Sequence, residues 1–527
     1  MAFSAGLTLS DLNDYISPSQ ACIKPVEVKK KSDQSSAITV DNRTGDYYEV
    51  ALDGTETKLE TASITLNDCL ACSGCITSAE SVLIAMQSHQ EVWNVLQANQ
   101  TAKSQGQWDQ VKHIVVSVSP QTYASFAAKY GLGIEQTAQR ITAALKQLGV
   151  DHVFDTSFAR DLSLLKIGQE FVDRFQTKQS SGGASSNDNP LPMLASACPG
   201  WVCYAEKTHG SLLPHISHTR SPQQMMGALV KDYFYRRHLS PEQSGTSIPW
   251  TPERIYHVCI MPCYDKKLEA SREDFQLADD PQTKEVDCVI STSELEVLFS
   301  QCQISFPQLP EAPLDTLFTK IEADPTPGEQ GARLARAAGT SSGGYLEYVM
   351  AYAAHRLFGL DSVVPGTVEG ASSPLIRVKT VRNADFREVT LVLPDGSVGL
   401  RFAAVYGFRN IQTLVRKIKL GRCPYQFVEI MACPSGCING GGQIRALTEP
   451  IPDTVGPMSP KEWVNLCEAT YKSLPVQDPT ANSPLASIIQ DWFGDQGLAS
   501  EQARSRLETQ YRAVTDTPTT SAVVEGW

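Results

Sequence analysis

The stretch EIMACPSGCINGGGQIR, Glu429 to Arg445, places two cysteines four residues apart directly ahead of three consecutive glycines. A disulfide, a zinc site, a phosphate loop and an iron–sulfur cluster each require different company elsewhere in the chain. The phosphate loop fails at once. Neither a Walker-type GxxxxGK followed by Ser or Thr nor a GxGxxG pattern occurs, and GLGIEQ at Gly131 ends in Gln136. The glycines suit a backbone that passes close to a bulky cofactor beyond Cys437, where Gly permits near approach and positive φ.

Two further cysteines sit in the same kind of setting. ACPGW holds Cys198 and MPCYDKKLE holds Cys263. Like Cys433 and Cys437, each follows a predicted strand beside Pro or Gly. Loops at the C-terminal ends of strands converge in an α/β fold, so four thiolates from three loops suffice for one cubane. The strands themselves are legible. HIVVSVSP (His113–Pro120) is a short apolar run ended by Pro, and IEQTAQRITAALKQLGV (Ile134–Val150) has helical periodicity with Gly149 as its stop. HVFDTSF, RIYHVCIMPC, DCVISTSELEVL and GLRFAAVYGFRNIQTLVRKIKLG before FVEIMACP continue the alternation. The pattern predicts an α/β fold with parallel pairing.

The bulk numbers narrow the class. At 527 residues the chain needs two or three lobes. Its 45 Lys and Arg against 58 Asp and Glu give a net charge of -13, which argues against a nucleic-acid or anionic-membrane binder. Lys29-Lys30-Lys31 reads as solvated linker. No run is apolar enough to span a bilayer, and MAFSAGLTLSDLNDYIS lacks the features of a signal peptide. A cytoplasmic protein, with the nucleus as a second compartment, is the expectation. In a reducing compartment fourteen cysteines point to metal rather than disulfides.

Near the N-terminus, Cys69, Cys72 and Cys75 are separated by two-residue spacers that let three thiolates meet one face of a cube. Zinc sites more often use paired CxxC units set well apart, and no CxxCH for a c-type haem exists. A ferredoxin would place its next Cys near position 79, where Ala79 stands. The isolated Cys22 is the best candidate for the fourth ligand, with a small buried hydrophobe as the alternative. Cys203, Cys259, Cys288, Cys302, Cys423 and Cys467 have no partners at ligand spacing and read as core residues.

ACPGW, MPCYDKKLE and EIMACPSGCINGGGQ resemble the three cofactor signatures of iron-only hydrogenases, and HVFDTSFARDL, SSGGYLEYVM and FRNIQTLVRKIKLG are similar to the segments between them. SDLNDYISPSQACIKP with CLACSGC resembles the eukaryotic iron-only-hydrogenase-like proteins of the Nar family, which belong to the cytosolic iron–sulfur assembly (CIA) machinery. The resemblance implies a two-lobed hydrogenase-like fold with parallel sheets around a buried cluster, a small N-terminal ferredoxin-like segment and a helical C-terminal one. The expected division is 1–100 for the N-terminal [4Fe–4S] segment and 101–110 for a linker. The hydrogenase-like domain is 111–447, with a disordered insertion at 177–190. A helical small-subunit-like segment follows at 448–514, and 515–527 is a flexible tail.

By the same resemblance Cys22, Cys69, Cys72 and Cys75 bind one [4Fe–4S] cluster, and Cys198, Cys263, Cys433 and Cys437 a second. Cys437 matches the ligand that also bridges to a di-iron centre in the hydrogenases. Lys266 matches the lysine that hydrogen-bonds a cyanide there, and Met261 its neighbouring methionine. The hydrogenases carry a proton-donating cysteine directly before the first ligand; this chain has Ala197, and a methyl group relays no proton. The Gln-Pro after the glycines is replaced by Gln443-Ile444. Hydrogenase activity is therefore not expected.

The leading functional reading is a cluster carrier and adaptor that transfers pre-assembled clusters to cytosolic and nuclear apoproteins. The implied partners are an early cytosolic P-loop NTPase scaffold, the CIA targeting complex with its WD40-propeller subunit and adaptors, and apo iron–sulfur clients. An electron-transfer or hydrogenase-type oxidoreductase and a cluster-braced interaction protein are the alternatives. The terminal Glu525-Gly526-Trp527 is a candidate capture element for the targeting complex.

Overall fold

The run HIVVSV becomes β4 of a computed structural model that describes residues 37–40, 47–50, 56–58, 83–180, 190–240, 250–277, 280–317, 334–446 and 458–514. Cys22, Cys69, Cys72, Cys75 and Trp527 lie outside the described residues. The chain divides into two compact units, Met1–Ser81 and Val82–Trp527. In the first, β1 (Ala37–Val40), β2 (Tyr47–Val50) and β3 (Glu56–Lys58) form an antiparallel meander.

The second unit holds two sheets. One is fully parallel, with β4 (His113–Val118), β5 (His152–Asp155), β7 (Ile255–Met261) and β8 (Cys288–Ser291) in the order β5-β4-β7-β8. Every residue of β4, β7 and β8 is buried, as expected of strands covered on both faces. The other contains β6 (Met193–Ala195), β9 (Ile376–Thr380), β10 (Phe386–Val392), β11 (Val398–Tyr406) and β12 (Phe427–Met431) in the order β6-β12-β11-β10-β9. Its β6, β12 and β11 run parallel, whereas β9 and β10 form an antiparallel meander with β11. The second sheet is thus mixed, not parallel throughout. The Pro-Asp-Gly turn at Pro394–Gly396, with Gly396 at φ +85°, folds β10 back on β11 without a crossover helix.

The helix Ile134–Gln147 buries Ile134, Ala138, Ile141 and Leu145, and Gly149 follows it at φ +98°. The expected linker at 101–110 differs from the structure, because the helix His89–Ser104 runs through its first four residues. Asn99 fixes this helix by exchanging hydrogen bonds with both backbone groups of Lys112 (3.0 and 2.7 Å). Gln87 ties the same region to the hydrogenase-like domain through Lys267 O (2.9 Å) and Val289 N–H (3.0 Å). The helix Ser157–Ser180 likewise extends into the insertion expected at 177–190, of which 181–189 lie outside the described residues.

Helices Pro460–Lys472, Ser483–Phe493 and Glu501–Leu507 make up most of the C-terminal segment. Leu485, Ile488, Trp492 and Phe493 join a core with Met225 and Phe234, and the indole of Trp492 donates to buried Asp232 (3.1 Å). Beyond them the chain lies along residues 217–220. Thr219 bridges to Glu508, and the Tyr511 hydroxyl donates to Ser217 O (2.8 Å). No helix among the described residues is long and apolar enough to cross a membrane.

His257 sits fully buried in β7. Its Nδ1–H donates to Glu285 O (3.0 Å), since a carbonyl only accepts, and Nε2 receives the Ser117 hydroxyl (2.8 Å). Burial pushes its pKa down to about 3. Below pH 6.5 the unfolded imidazole takes a proton that the folded one refuses, so this contribution to stability is complete above 6.5 and declines as pH falls towards 3. From pH 7 to pH 5 the wild-type chain should lose about 2 kcal/mol relative to His257→Gln, measured as the difference between their denaturant midpoints at the two pH values. A pH-independent difference would contradict the assignment.

Candidate metal centre

Three loops carry four thiols into one interior region, and the sheet register explains the first two loops. β6 pairs in parallel with β12, Ala195 opposite Glu429, so the chain leaves both strands at the same level. Cys198 follows β6 and caps the helix Pro199–Thr208, with Pro199 at its first position. Ser196 clamps the two loops together: its hydroxyl donates to Ile430 O (2.6 Å) and accepts from Cys198 N–H (3.1 Å).

Between Cys433 and Cys437 the backbone turns sharply, with Ser435 at φ +60° and Gly436 at φ +81°. Asp385 holds the strained Ser435 by accepting its N–H (2.7 Å), and Ser342 accepts the N–H of Cys437 (3.0 Å). A methyl group at Gly436 would fall on the Ser342 hydroxyl. Cys263 arrives from the parallel sheet, in the turn between β7 and the helix Asp265–Ala270.

The three glycines work differently from the sequence expectation. Gly440, Gly441 and Gly442 all have ordinary negative-side backbone angles, and what approaches them is protein. A side chain at Gly440 would collide with Pro262 O, and one at Gly442 would meet Ser291 Cβ at 2.6 Å and Cys263 Cα at 3.3 Å. Gly442 N–H donates to Pro262 O (3.0 Å). Thus Gly440 and Gly442 let the loop behind Cys437 lie flat against the loop that carries Cys263.

The electrostatics agree with convergence. Burial pushes up the pKa of all four thiols; Cys433 is also raised by Cys198, Cys263 and Cys437, and Cys437 reaches about 12 with Cys198 as the next cause. Cys263 is raised by burial, then by Asp265, Cys198 and Cys437. Asp265, itself raised by burial, also opposes ionisation of Cys198. Lys266 is the compensating charge. Burial opposes its protonation, yet Glu269, with a 2.7 Å salt bridge, and the thiols Cys263 and Cys437 hold its pKa up. Its ammonium also donates to Ser221 Oγ (3.0 Å). Ionising four neighbouring thiols here requires bound cationic charge to replace the protons.

The donor set, four thiols from three loops, matches the ligand set of a cubane cluster. None of the four cysteines is in a disulfide, and among the described residues no three His, Cys, Asp or Glu side chains stand close enough to hold one metal ion. Beside Cys198 lies a cavity of about 30 Å³, lined by Ala197, Cys203, Glu269 and Tyr511 among others.

Sequence reasoning singled out all four thiols but missed Ser196, Ser342, Asp385 and Asp265, whose roles depend on chain crossings. Of the six remaining cysteines, Cys259, Cys288 and Cys467 are buried as expected. Cys203 on a helix, Cys302 at a helix end and Cys423 in the loop before β12 are only half-buried.

An α/β frame with three cysteine loops meeting between two sheets defines an iron-only-hydrogenase-like protein, and residues 112–441 match the family described as iron only hydrogenase large subunit, C-terminal domain. An [FeFe]-hydrogenase structure concerned with oxygen inactivation superposes with a TM-score of 0.62 at 26% identity, covering 81% of this chain and 99% of that one. An apo [FeFe]-hydrogenase from Chlamydomonas reinhardtii gives 0.59 at 27%, covering 76% and 94%. Among curated proteins, the cytosolic Fe-S cluster assembly factor narfl of Xenopus tropicalis is 47% identical over 517 residues, and the cytosolic iron-sulfur assembly component 3 of Mus musculus is 48% identical over 513, each alignment covering 97% of both chains. The chain belongs to this Nar-type family of cytosolic iron–sulfur cluster assembly factors.

Proposed function

We propose that this protein binds two [4Fe–4S] clusters, one through Cys22, Cys69, Cys72 and Cys75 and one through Cys198, Cys263, Cys433 and Cys437, and that it passes pre-assembled clusters to cytosolic and nuclear apoproteins. The names of its relatives support a role in cytosolic iron–sulfur assembly. The single observation that carries the cluster assignment is the meeting of four thiols from three loops. The proposed partners are an early P-loop NTPase scaffold, apo client proteins, and the CIA targeting complex with its WD40-propeller subunit and adaptors. The division of labour follows from access. A centre held between the two sheets, with Cys198 buried and Cys263, Cys433 and Cys437 half-buried, braces the fold, whereas a site on Cys22 and the CxxCxxC run exchanges, since transfer needs ligands that a partner's thiols can displace.

Hydrogen catalysis is set aside on residue chemistry. Ala197 lines the cavity beside Cys198, where a proton donor to a reacting centre would have to stand, and its methyl group exchanges no proton. Anaerobically purified protein should contain about eight iron and eight sulfide per chain, give EPR signals of two distinct cubanes on reduction, and evolve no hydrogen. Zinc alone, one cubane, or infrared bands from CO and CN ligands would overturn the reading.

A further inference from the structure

Residues 376–422 carry ten Lys and Arg against three Asp and Glu, in a chain whose net charge is -13. The cations gather on one side of the mixed sheet. Register places Arg377 beside Thr390 and Arg401, and Lys379 beside Glu388; residues directly opposite share a face. The helix Phe408–Lys419 covers that face, because Lys417 lies over the Phe386 ring at 5.5 Å and Phe386 alternates with Glu388 and Thr390 along β10. Its outer side adds Arg416, whereas Lys419 turns away from β9 to His209 Nδ1 (3.3 Å), and Arg422 follows.

Arg377, Lys379, Arg382, Arg401, Arg416 and Arg422 are all exposed and have no ion-pair partner among the described residues. The nearby carboxylates are already engaged: Asp385 with Ser435 N–H, Asp395 with Ser397, and Glu388 with Tyr425. Arg387 alone turns inward, to Glu347 at 3.4 Å.

β9 is the last strand of its sheet. Val381 N–H bonds Phe386 O, and Val392 N–H bonds Leu375 O, both at 2.8 Å. Odd-numbered residues therefore face β10, and the backbone groups of Val378 and Thr380 point away from the sheet. Both residues are exposed, Val378 to 41%. Charged side chains guard many sheet edges against self-association, and Arg377 with Lys379 would serve that end. Guarding does not account for Arg401, Arg416 and Arg422, which lie away from the edge on β11, on the covering helix and just beyond it.

We propose that the outer edge of β9, with the basic face behind it, docks an extended acidic segment of a partner protein by strand addition. Strand addition draws affinity from main-chain hydrogen bonds and specificity from alternate side chains. Arg377 and Lys379, two residues apart and so about 6.6 Å apart along the strand, match the spacing of alternate carboxylates on an added strand. A long nucleic acid fits worse. The net negative charge of the whole chain repels a polyanion at range, while a short peptide feels only the local cations within a screening length of about 8 Å. The proposal uses residues outside the three cysteine loops and stands apart from the cluster assignment.

Fluorescence anisotropy on the full-length protein tests it, with a fluorescein-labelled (Glu-Thr)6 peptide, the (Lys-Thr)6 counterpart and a dT12 oligonucleotide as probes. Only the Glu peptide should bind, and raising salt from about 50 to 300 mM should weaken it at least about tenfold, as screening of several contacts requires. Arg377→Glu with Lys379→Glu should weaken binding by a similar factor. So should Val378→Pro, which removes an outward N–H that β10 does not use. Thermal melts confirm that each variant is folded; should Val378→Pro fail to melt cooperatively, Arg382→Glu with Arg401→Glu supplies the second variant, with the same expected loss. Equal binding of dT12, no binding of the Glu peptide, or unchanged affinity in folded variants would overturn the proposal.

Discussion

Cys437→Ala should cost the protein most of its folded yield, whereas Cys22→Ala should leave the fold intact and remove iron only. The two substitutions delete the same atom, so the contrast isolates where the ligand sits. Cys437 lies between two left-handed backbone positions and the Gly440 turn, with its N–H fixed by Ser342, and its sulfur is one of four that meet between the sheets. A four-ligand structural metal site contributes on the order of 10–16 kcal/mol to folding, so one ligand accounts for roughly 3 kcal/mol, a large share of a net stability of about 5–15 kcal/mol. The loss should appear as a lower denaturant midpoint in the iron-loaded protein and vanish once both chains are stripped of iron, because the metal-free wild type has nothing for Cys437 to hold. Cys22→Ala should lower bound iron by about half and leave that midpoint unchanged. Equal iron losses with equal midpoints would refute the distinction between a bracing and an exchanging site.

How much of this could be read beforehand depends on whether a feature is local. The four thiols were legible because each follows an apolar strand-like run and sits beside Pro or Gly, a pattern complete within five residues. The β–α–β alternation was legible for the same reason, since HIVVSV and FVEIM are buried on both faces and carry no polar interruption besides Ser117 and Glu429. The β9–β10 meander was not, because RVKT is exposed and FREVTLV only partly buried, and their pairing is set by a turn rather than by hydrophobic pattern. Residues 101–104 fell in the expected linker, yet Ala102 is buried, as is Asn99 one turn earlier. Buried Glu429 illustrates the limit well. In sequence it interrupts an apolar strand. In the fold it accepts the Tyr406 hydroxyl (2.6 Å) and Leu346 N–H (2.8 Å), two partners that nothing near position 429 announces. Asp265, Ser196 and Ser342 escaped notice for this reason too: each acts on a loop it is not part of.

Gly440→Ala should be nearly as damaging as loss of a ligand, for a reason that has nothing to do with metal. The added methyl would overlap Pro262 O and stand 3.0 Å from the Pro262 carbonyl carbon and 3.1 Å from Cys437 O. All three are backbone atoms, so no side chain can rotate out of the way, and relief requires the Cys263 and Cys437 loops to separate. Overpacking of a well-filled interior costs about 1–3 kcal/mol or more, and backbone on both sides places this site at the upper end. Gly441→Ala is the matched control: its nearest neighbour would be Tyr264 Cδ2 at 3.9 Å, an ordinary contact, and its backbone angle suits any residue. Denaturant unfolding of iron-free protein separates this effect from ligand loss. There Gly440→Ala should remain destabilised by about 3 kcal/mol, Gly441→Ala should match wild type, and Cys437→Ala should match it as well. Moving the two loops apart also spreads the thiols they carry, so Gly440→Ala should retain less iron at the interior site although every cysteine is present. A Gly440→Ala protein with wild-type midpoint and full iron content would show that the loops do not need to touch, and that the triple glycine serves some purpose other than joining them.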